Sequence, residues 1–137
     1  MPALIDTDVA IELMRRNPYT LECVAKFDEA ILISSITASE LYFGAYNSAH
    51  PDENVVKVQR FLDNFPVLTI TVDTARAFGR MKVKLKRQSI QIAPFDLMIA
   101  SIALENGCVV ATGNVRHFRP IEELQLVDWI RGTKPER

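Results

Sequence analysis

Short apolar runs alternate with stretches of helical periodicity along the whole chain. The runs at 3–5, 31–33, 67–70 and 109–111 predict four buried β-strands, and Leu126-Val127 predicts a weaker fifth. Short, continuously apolar strands are typical of a parallel sheet that helices cover on both faces. We therefore expect an α/β fold: one domain with three α/β/α layers around a central parallel sheet of four to five strands.

Six helices are predicted between these strands. They cover about 7–15, 19–27, a segment after Thr37, 54–64, 71–88 and 94–106. The fifth helix has Asp73 or Thr74 as its expected N-cap, and its expected apolar side consists of Ala75, Phe78, Met81 and Leu85. The sixth begins at Pro94 and is expected to end before Gly107, a usual residue just past a helix end.

Composition changes this picture little. The 137 residues suit one domain, which we place at 1–131, followed by a polar tail at 132–137. The net charge of −1 does not by itself indicate a polyanion partner. Cys23 and Cys108 share no metal motif, and the amino terminus lacks the pattern of a signal peptide. The longest apolar stretch, 97–104, is too short to span a membrane, so we expect a cytoplasmic protein.

Four polar residues stand at the boundaries of apolar runs: Asp6, Glu40, Asp96 and Asn114. Each has a purely structural interpretation. Asp6 is an expected N-cap, and Glu40 fits a capping box that begins at Thr37. Asp96 complements the dipole in the first turn of its helix, and Asn114 is an ordinary turn residue after a glycine.

The joint interpretation of these residues is functional. In a parallel sheet, Asp6, Asp96 and Asn114 are expected at the carboxyl edge, where open α/β sheets bind their ligands. Three carboxylates in one cleft repel each other unless a cation lies between them. The sequence therefore predicts a divalent metal site formed by Asp6, Glu40 and Asp96.

Cationic residues lie near these acids in sequence. Arg116 and Arg119 follow Asn114 closely and are candidates for phosphate contacts. The basic run from Arg76 to Arg87 is either a solvated helix face or a phosphate-binding surface. His117 has three open interpretations: a phosphate contact, a proton-transfer group or a structural residue.

Asp8 gives Asp6-Thr7-Asp8 the D-x-D form that is found in haloacid-dehalogenase phosphatases. That pattern requires Thr or Val at the position of Ala10, and no later Gly-Asp-x-x-x-Asp element follows. We therefore favour Asp8 as a solvated acid or an acid at the start of a helix over Asp8 as a ligand.

Three segments together resemble a known family. L-I-D-T-D-V, T-A-S-E-L-Y-F-G and P-F-D-L-M-I-A are similar to the acidic motifs of PIN-domain ribonucleases. The closing V-V-A-T-G-N-V-R-H-F, followed by V-D-W-I, resembles the carboxyl-terminal signature of the VapC toxins of type II toxin–antitoxin systems. The resemblance extends over essentially the whole chain.

The resemblance implies roles for individual residues. Asp6, Glu40 and Asp96 match an acidic triad that binds Mg²⁺, for which Mn²⁺ substitutes. The family often has a fourth acid at the place of Asn114 or of His117. Asn114 is instead a neutral oxygen donor, which implies weaker binding of a second metal.

The resemblance also implies an activity and partners. The expected function is Mg²⁺-dependent endoribonuclease activity on structured RNA such as tRNA, as the toxin of a pair with a VapB-like antitoxin. Arg116, Arg119 and Thr112 are the expected contacts to the RNA phosphates. The resemblance also implies a homodimer. Tyr42, Phe43 and Tyr46 are candidates for either interface or for the core, which is the usual place for aromatics at helical spacing. The alternative is a catalytically weak PIN-like module that binds RNA or protein.

Overall fold

The structure is a computed structural model that describes residues 1–132. Residues 133–137, which make up most of the predicted polar tail, lie outside the described residues. None of the helices within 1–132 is long and apolar enough to cross a membrane.

The described residues contain one five-stranded, fully parallel sheet, as the apolar runs predicted. The strands are β1 (Ala3–Ile5), β2 (Ile31–Ser34), β3 (Val67–Leu68), β4 (Val109–Ala111) and β5 (Leu126–Val127). Their order across the sheet is β3-β2-β1-β4-β5. β3 is shorter than the predicted run at 67–70, because only its first two residues pair with β2.

The strand order reverses direction beside the central strand. From β1 the chain moves outward through β2 to β3, and it then returns to the opposite side of β1 as β4. The ends of β1 and β4 are in register, with Ile5 paired to Ala111. Such a reversal opens a crevice at the carboxyl ends of the two strands, where doubly wound folds bind ligands.

Seven helices connect the strands within the described residues, one more than predicted. They are α1 (Thr7–Met14), α2 (Pro18–Lys26), α3 (Ser35–Tyr46), α4 (Pro51–Leu62), α5 (Val72–Arg87), α6 (Pro94–Glu105) and α7 (Val115–Phe118). The sequence pattern did not reveal α7, since four residues make only one turn and show no periodicity.

Two hydrophobic cores lie on opposite faces of the sheet, which confirms the three α/β/α layers. Leu4 faces the core that α5, α6 and α7 cover, whereas its neighbours Ala3 and Ile5 face the core under α1 to α4. All three side chains are fully buried. A central strand that is buried on both faces must be apolar at every position, which explains the continuous run at the start of the chain.

Two predicted helix caps are wrong. α3 begins at Ser35, and its N-cap is Ser34, whose hydroxyl accepts from the Thr37 amide at 3.0 Å. Thr37 is therefore already inside the helix, and Glu40 belongs to its second turn instead of closing a capping box. The N-cap of α5 is Thr71, which exchanges hydrogen bonds with Thr74 three residues later.

Two predicted apolar faces also need correction. In α5, Met81 and Leu85 are buried and Phe78 packs against the core as predicted, but Ala75 is exposed, and the other buried residues are Thr74 and Ala77. In α3, Phe43 and Tyr46 are 70% and 66% exposed, so the core interpretation is wrong for both.

The end of α6 is as predicted. The helix stops at Glu105, and Gly107 has a φ of 63°, a backbone conformation that glycine adopts without strain.

Candidate active site

Asp6 is the centre of the candidate site. It follows β1 directly and caps α1, with its Oδ1 accepting from the Thr7 amide at 2.8 Å. Its Oδ2 accepts from the hydroxyl of Thr112, the residue that follows β4, at 2.9 Å. The residues after the two neighbouring strands therefore meet in the crevice, as the parallel sheet predicted. The capping role of Asp6 is also confirmed.

The charge of Asp6 is poorly compensated. The residue is only 7% exposed. Burial, together with the nearby carboxylates of Asp8 and Asp96, raises its pKa to about 6. The hydrogen bonds from Thr7 and Thr112 act in the opposite direction but do not outweigh burial. A nearby cation would stabilise the ionised form of this carboxylate.

Asp8 belongs to the same site, which the sequence analysis missed. Its Oδ2 accepts from the Gly113 amide at 2.9 Å, and its Oδ1 accepts from the Val9 amide at 2.8 Å. Burial raises the pKa of Asp8 as well. The D-x-D spacing was visible in the sequence, but the partner of Asp8 is 105 residues away, so only the fold shows the contact.

Glu40 reaches the site through a threonine. The Thr7 hydroxyl lies 2.7 Å from Oε1 of Glu40 and 3.1 Å from the Thr37 hydroxyl. The Thr7 amide is the donor to Asp6, so a single residue connects the two acids. On its other side Glu40 lines a cavity of about 300 Å³ between α1, α3 and α4, whose walls are mainly apolar.

Asp96 lies in the first turn of α6, as predicted, and has a histidine as its partner. Nε2 of His117 in α7 lies 2.8 Å from Oδ2 of Asp96. Both side chains are about 30% exposed. Asp96 lies near enough to Asp6 to raise the pKa of Asp6.

The turn after β4 joins the acids to a basic cleft. Asn114 donates its amide to the Thr112 hydroxyl at 2.9 Å. It also lines a cleft of about 910 Å³ together with Arg116, Arg119, Arg131 and Asp128. Arg131 donates to the Gly113 carbonyl, and Thr112 is fully buried. Thr112 therefore contacts Asp6, while Asn114, Arg116 and Arg119 face the neighbouring cleft.

The carboxylates of Asp6, Glu40 and Asp96 are suitable ligands for a hard divalent cation, although the three do not converge on a common point. Carboxylate oxygens are the ligands that Mg²⁺ prefers, and burial together with the neighbouring Asp8 and Asp96 carboxylates raises the pKa of Asp6. Among residues 1–132, no three His, Cys, Asp or Glu side chains are grouped closely enough to hold a metal.

The fold and the site together define a class: a doubly wound α/β protein with Asp6, Asp8 and Asp96 near its switch point, beside a cationic cleft. Comparison with family models identifies this class, because the PIN domain model matches residues 3–123. The chain belongs to the PIN-domain family, and its relatives place it among the VapC ribonucleases, which are hydrolytic nucleases.

Two relatives illustrate the extent of the similarity. Ribonuclease VapC2 of Haemophilus influenzae is 31% identical over 130 residues, which cover 93% of this chain and 97% of the relative. The tRNA(fMet)-specific endonuclease VapC of Salmonella typhimurium is 32% identical over 127 residues, which cover 92% of this chain and 96% of the relative. The similarity thus extends over nearly the full length of each protein.

Solved structures show the same fold. VapBC-1 of nontypeable Haemophilus influenzae matches with a TM-score of 0.88 and 30% identity, covering 96% of this chain and all of that chain. DNA-bound VapBC of Salmonella typhimurium matches with a TM-score of 0.88 and 31% identity, covering 94% and 98%. Both are complexes of toxin–antitoxin systems.

Proposed function

We propose that this protein is a Mg²⁺-dependent endoribonuclease and the toxin of a type II toxin–antitoxin pair. The observation that carries the proposal is Asp6: a buried carboxylate with a pKa raised to about 6, at the sheet's switch point and close to Asp8 and Asp96. At neutral pH such a carboxyl is mostly ionised, and a nearby cation would offset the cost of its buried charge. The proposed direct ligands are Asp6 and Asp96, with Glu40 as a further ligand or a contact through water.

The chain's own residues supply binding and orientation. Thr7 and Thr112 hold the two oxygens of Asp6, and Thr7 also holds Glu40. Arg116 and Arg119 face the adjacent cleft, where they are suited to contact RNA phosphates. Thr112 is fully buried and donates to Asp6, so its proposed contribution is to orient that carboxylate and not to contact phosphate directly.

A bound Mg²⁺, or Mn²⁺ in its place, supplies an activated water and stabilises charge on the phosphoryl oxygens. Hydrolysis by water leaves 5′-phosphate and 3′-hydroxyl ends, and it does not consume the 2′-hydroxyl of the RNA. A structured RNA with a single-stranded loop is the proposed substrate, because unpaired bases are the readable part of RNA. The names of two relatives indicate tRNA as the first substrate to test.

The proposed partner is a VapB-like antitoxin. Phe43 and Tyr46 are exposed on α3, and the apolar cavity next to Glu40 opens beside the same helix. An amphipathic segment that fills this cavity would bring its polar groups close to the acids. We also propose a homodimer and a cytoplasmic location.

The nuclease proposal is tested with three conservative variants, Asp6→Asn, Glu40→Gln and Asp96→Asn, assayed for cleavage of a tRNA in Mg²⁺. Loss of an outer-shell partner of a metal costs about 10- to 100-fold, so loss of a direct ligand should cost about 100-fold or more. Asp73→Asn in the first turn of α5 is the matched control. Undiminished cleavage by all three variants would refute the mechanism.

The alternative is a PIN-like module that binds RNA or protein without cutting, and the neutral Asn114 is the residue that favours it. Two results together would establish this alternative: tRNA binding without cleavage, and no Mg²⁺ binding that depends on Asp6. The toxin role is tested by expressing the chain with and without the small neighbouring open reading frame. Growth arrest that the neighbour relieves supports the pair, and absence of arrest under verified expression contradicts it.

A further inference from the structure

Among the described hydrogen bonds, the Asp96 side chain has one partner, His117. Its Nε2 lies 2.8 Å from Oδ2 of Asp96. The histidine is held by its own short helix, because the next residue, Phe118, is fully buried in the core. The two rings meet edge to face, with centroids 5.5 Å apart. The imidazole therefore packs against the buried Phe118 ring, and its Nε2 points at the Asp96 carboxylate.

The direction of this hydrogen bond follows from the chemistry of the partners. When the Asp96 carboxylate is ionised it only accepts, so Nε2 then carries the proton and donates. The bond occupies Oδ2 of Asp96 and limits rotation of the carboxylate. His117 itself offers no free lone pair at Nε2, so it cannot bind a metal through that atom while the contact persists.

The other proposed ligands are held in the same way. The Thr7 amide and the Thr112 hydroxyl donate to Asp6, and the Thr7 hydroxyl donates to Glu40. Each carboxylate thus has a donor from the chain that is not itself an acid. His117 is the donor for Asp96, and both side chains of this pair are about 30% exposed.

We propose that His117 is a positioning residue, which fixes the Asp96 carboxylate so that the site binds a divalent cation. This inference rests on the proposed function, since it concerns the same carboxylates. Groups that donate a hydrogen bond to a metal ligand fix the orientation of that ligand. Loss of such a donor typically weakens metal binding by about 10- to 100-fold. The opposite role, in which His117 competes with the cation for Oδ2, predicts tighter binding when the histidine is removed.

The test measures Mn²⁺ binding directly, from the electron paramagnetic resonance signal of the free ion. His117→Leu removes the donor and keeps a side chain of similar bulk. His117→Gln returns an amide N–H near the position of Nε2. We expect His117→Leu to raise the dissociation constant for Mn²⁺ about tenfold and His117→Gln to restore most of the affinity. The chain's other histidine, the exposed His50, gives the matched control His50→Leu, which should bind as the unchanged protein does.

Unchanged or tighter Mn²⁺ binding by His117→Leu overturns the inference and leaves the proposed function standing. Absence of Mn²⁺ binding by the unchanged protein, with Asp6→Asn behaving identically, overturns both. Thermal unfolding in EDTA shows whether each variant is folded. If His117→Leu does not fold, His117→Asn replaces it, because its amide is too short to reach Oδ2, and the same outcomes apply.

Discussion

Asp6 shows how one residue combines a structural and a chemical role. Its first oxygen caps α1 and its second accepts from Thr112, so both oxygens are held by the chain. Neither contact neutralises the charge, and burial beside Asp8 keeps the pKa near 6. Ionisation of Asp6 without a cation therefore makes the folded protein less stable. Such strain is common where a fold prepares a site for a ligand.

This state of Asp6 predicts a pH dependence of stability in metal-free buffer. A carboxyl whose pKa rises from 3.8 to about 6 on folding binds its proton more tightly in the folded state. The contribution is fully present below about pH 4 and is lost as the pH rises through 6, a loss of about 3 kcal/mol. We expect the free energy of unfolding, measured by urea titration in EDTA, to fall over this range.

The variant Asp6→Asn isolates this contribution, because an amide does not titrate. The free energy of unfolding of Asp6→Asn should exceed that of the unchanged protein by an amount that grows between pH 4 and pH 7. Asp73→Asn serves as the control for changes elsewhere. Equal pH profiles for Asp6→Asn and the unchanged protein would show that the buried carboxylate has an ordinary pKa.

At the scale of elements, the turn between β4 and α7 organises the site. It presents Thr112 to Asp6 and Asn114 to the basic cleft, and Asp8 accepts from the Gly113 amide between them. A Cβ atom at Gly113 would lie 2.6 Å from Cδ1 of Ile130 and 3.0 Å from Oδ2 of Asp8. A side chain at this position would therefore displace the end of the Ile130 side chain and press on the Asp8 carboxylate.

Gly113→Ala is therefore expected to destabilise the protein by about 1–3 kcal/mol, the usual result of overpacking. The matched substitution is Gly79→Ala inside α5, where a new Cβ meets nothing within 4 Å. Gly79→Ala should stabilise by about 0.5–1 kcal/mol, because alanine is the better helix former. Urea unfolding of the two variants measures both effects, and equal effects of the two substitutions would contradict the packing argument.

The basic face of α5, formed by Arg76, Arg80, Lys82, Lys84, Lys86 and Arg87, gives a second prediction at this scale. Lys84 is bonded to Glu123 at 2.7 Å, whereas Arg80 and Arg87 line a shallow surface hollow. If this face contacts RNA, Arg80→Gln with Arg87→Gln should weaken tRNA binding. The slope of log affinity against log salt is negative, and its magnitude should decrease by about 0.7 for each lost phosphate contact.

This measurement uses Asp96→Asn as the background, so that the RNA is not cut during the titration. Lys57→Gln in α4 is the control, since Lys57 is exposed and pairs with Glu53. An unchanged salt slope in the double variant would mean that the face is only solvated, which is the other interpretation that the sequence left open.

At the scale of the whole molecule, the two cores share one sheet. Phe118 belongs to the core under α5 to α7, and Trp129 belongs to the opposite core, where it packs against Phe27 with ring centroids 5.3 Å apart. β1 contributes to both, through Leu4 on one face and Ile5 on the other. Loss of either core would expose the central strand, so the two should unfold together.

Trp129 is the chain's only tryptophan, so its fluorescence reports on one core. We expect Phe118→Leu, a change in the opposite core, to lower the urea midpoint seen by Trp129 fluorescence and by far-UV circular dichroism to the same extent. The destabilisation should be about 1–3 kcal/mol, since a large buried ring is truncated. Separate midpoints for the two signals would show that the layers unfold independently.

Much of the fold was predictable because its signals are local. Apolar runs marked the five strands, and helical periodicity marked six of the seven helices in the described residues. The errors fell where local sequence is ambiguous: at the caps of α3 and α5, and at α7, which is too short to show a period. The exposure of Phe43 and Tyr46 was also missed, since periodicity cannot distinguish a core face from a surface for binding.

The sequence by itself determined the parallel α/β architecture and placed Asp6, Asp96 and Asn114 at one edge, because strand ends and helix starts are encoded by neighbouring residues. Only the tertiary structure decided which partners hold these acids. Thr112 is 106 residues from Asp6, and His117 reaches Asp96 from a helix that has no sequence signal. Contacts over such separations depend on strand order and register, and those are set by packing of the whole chain.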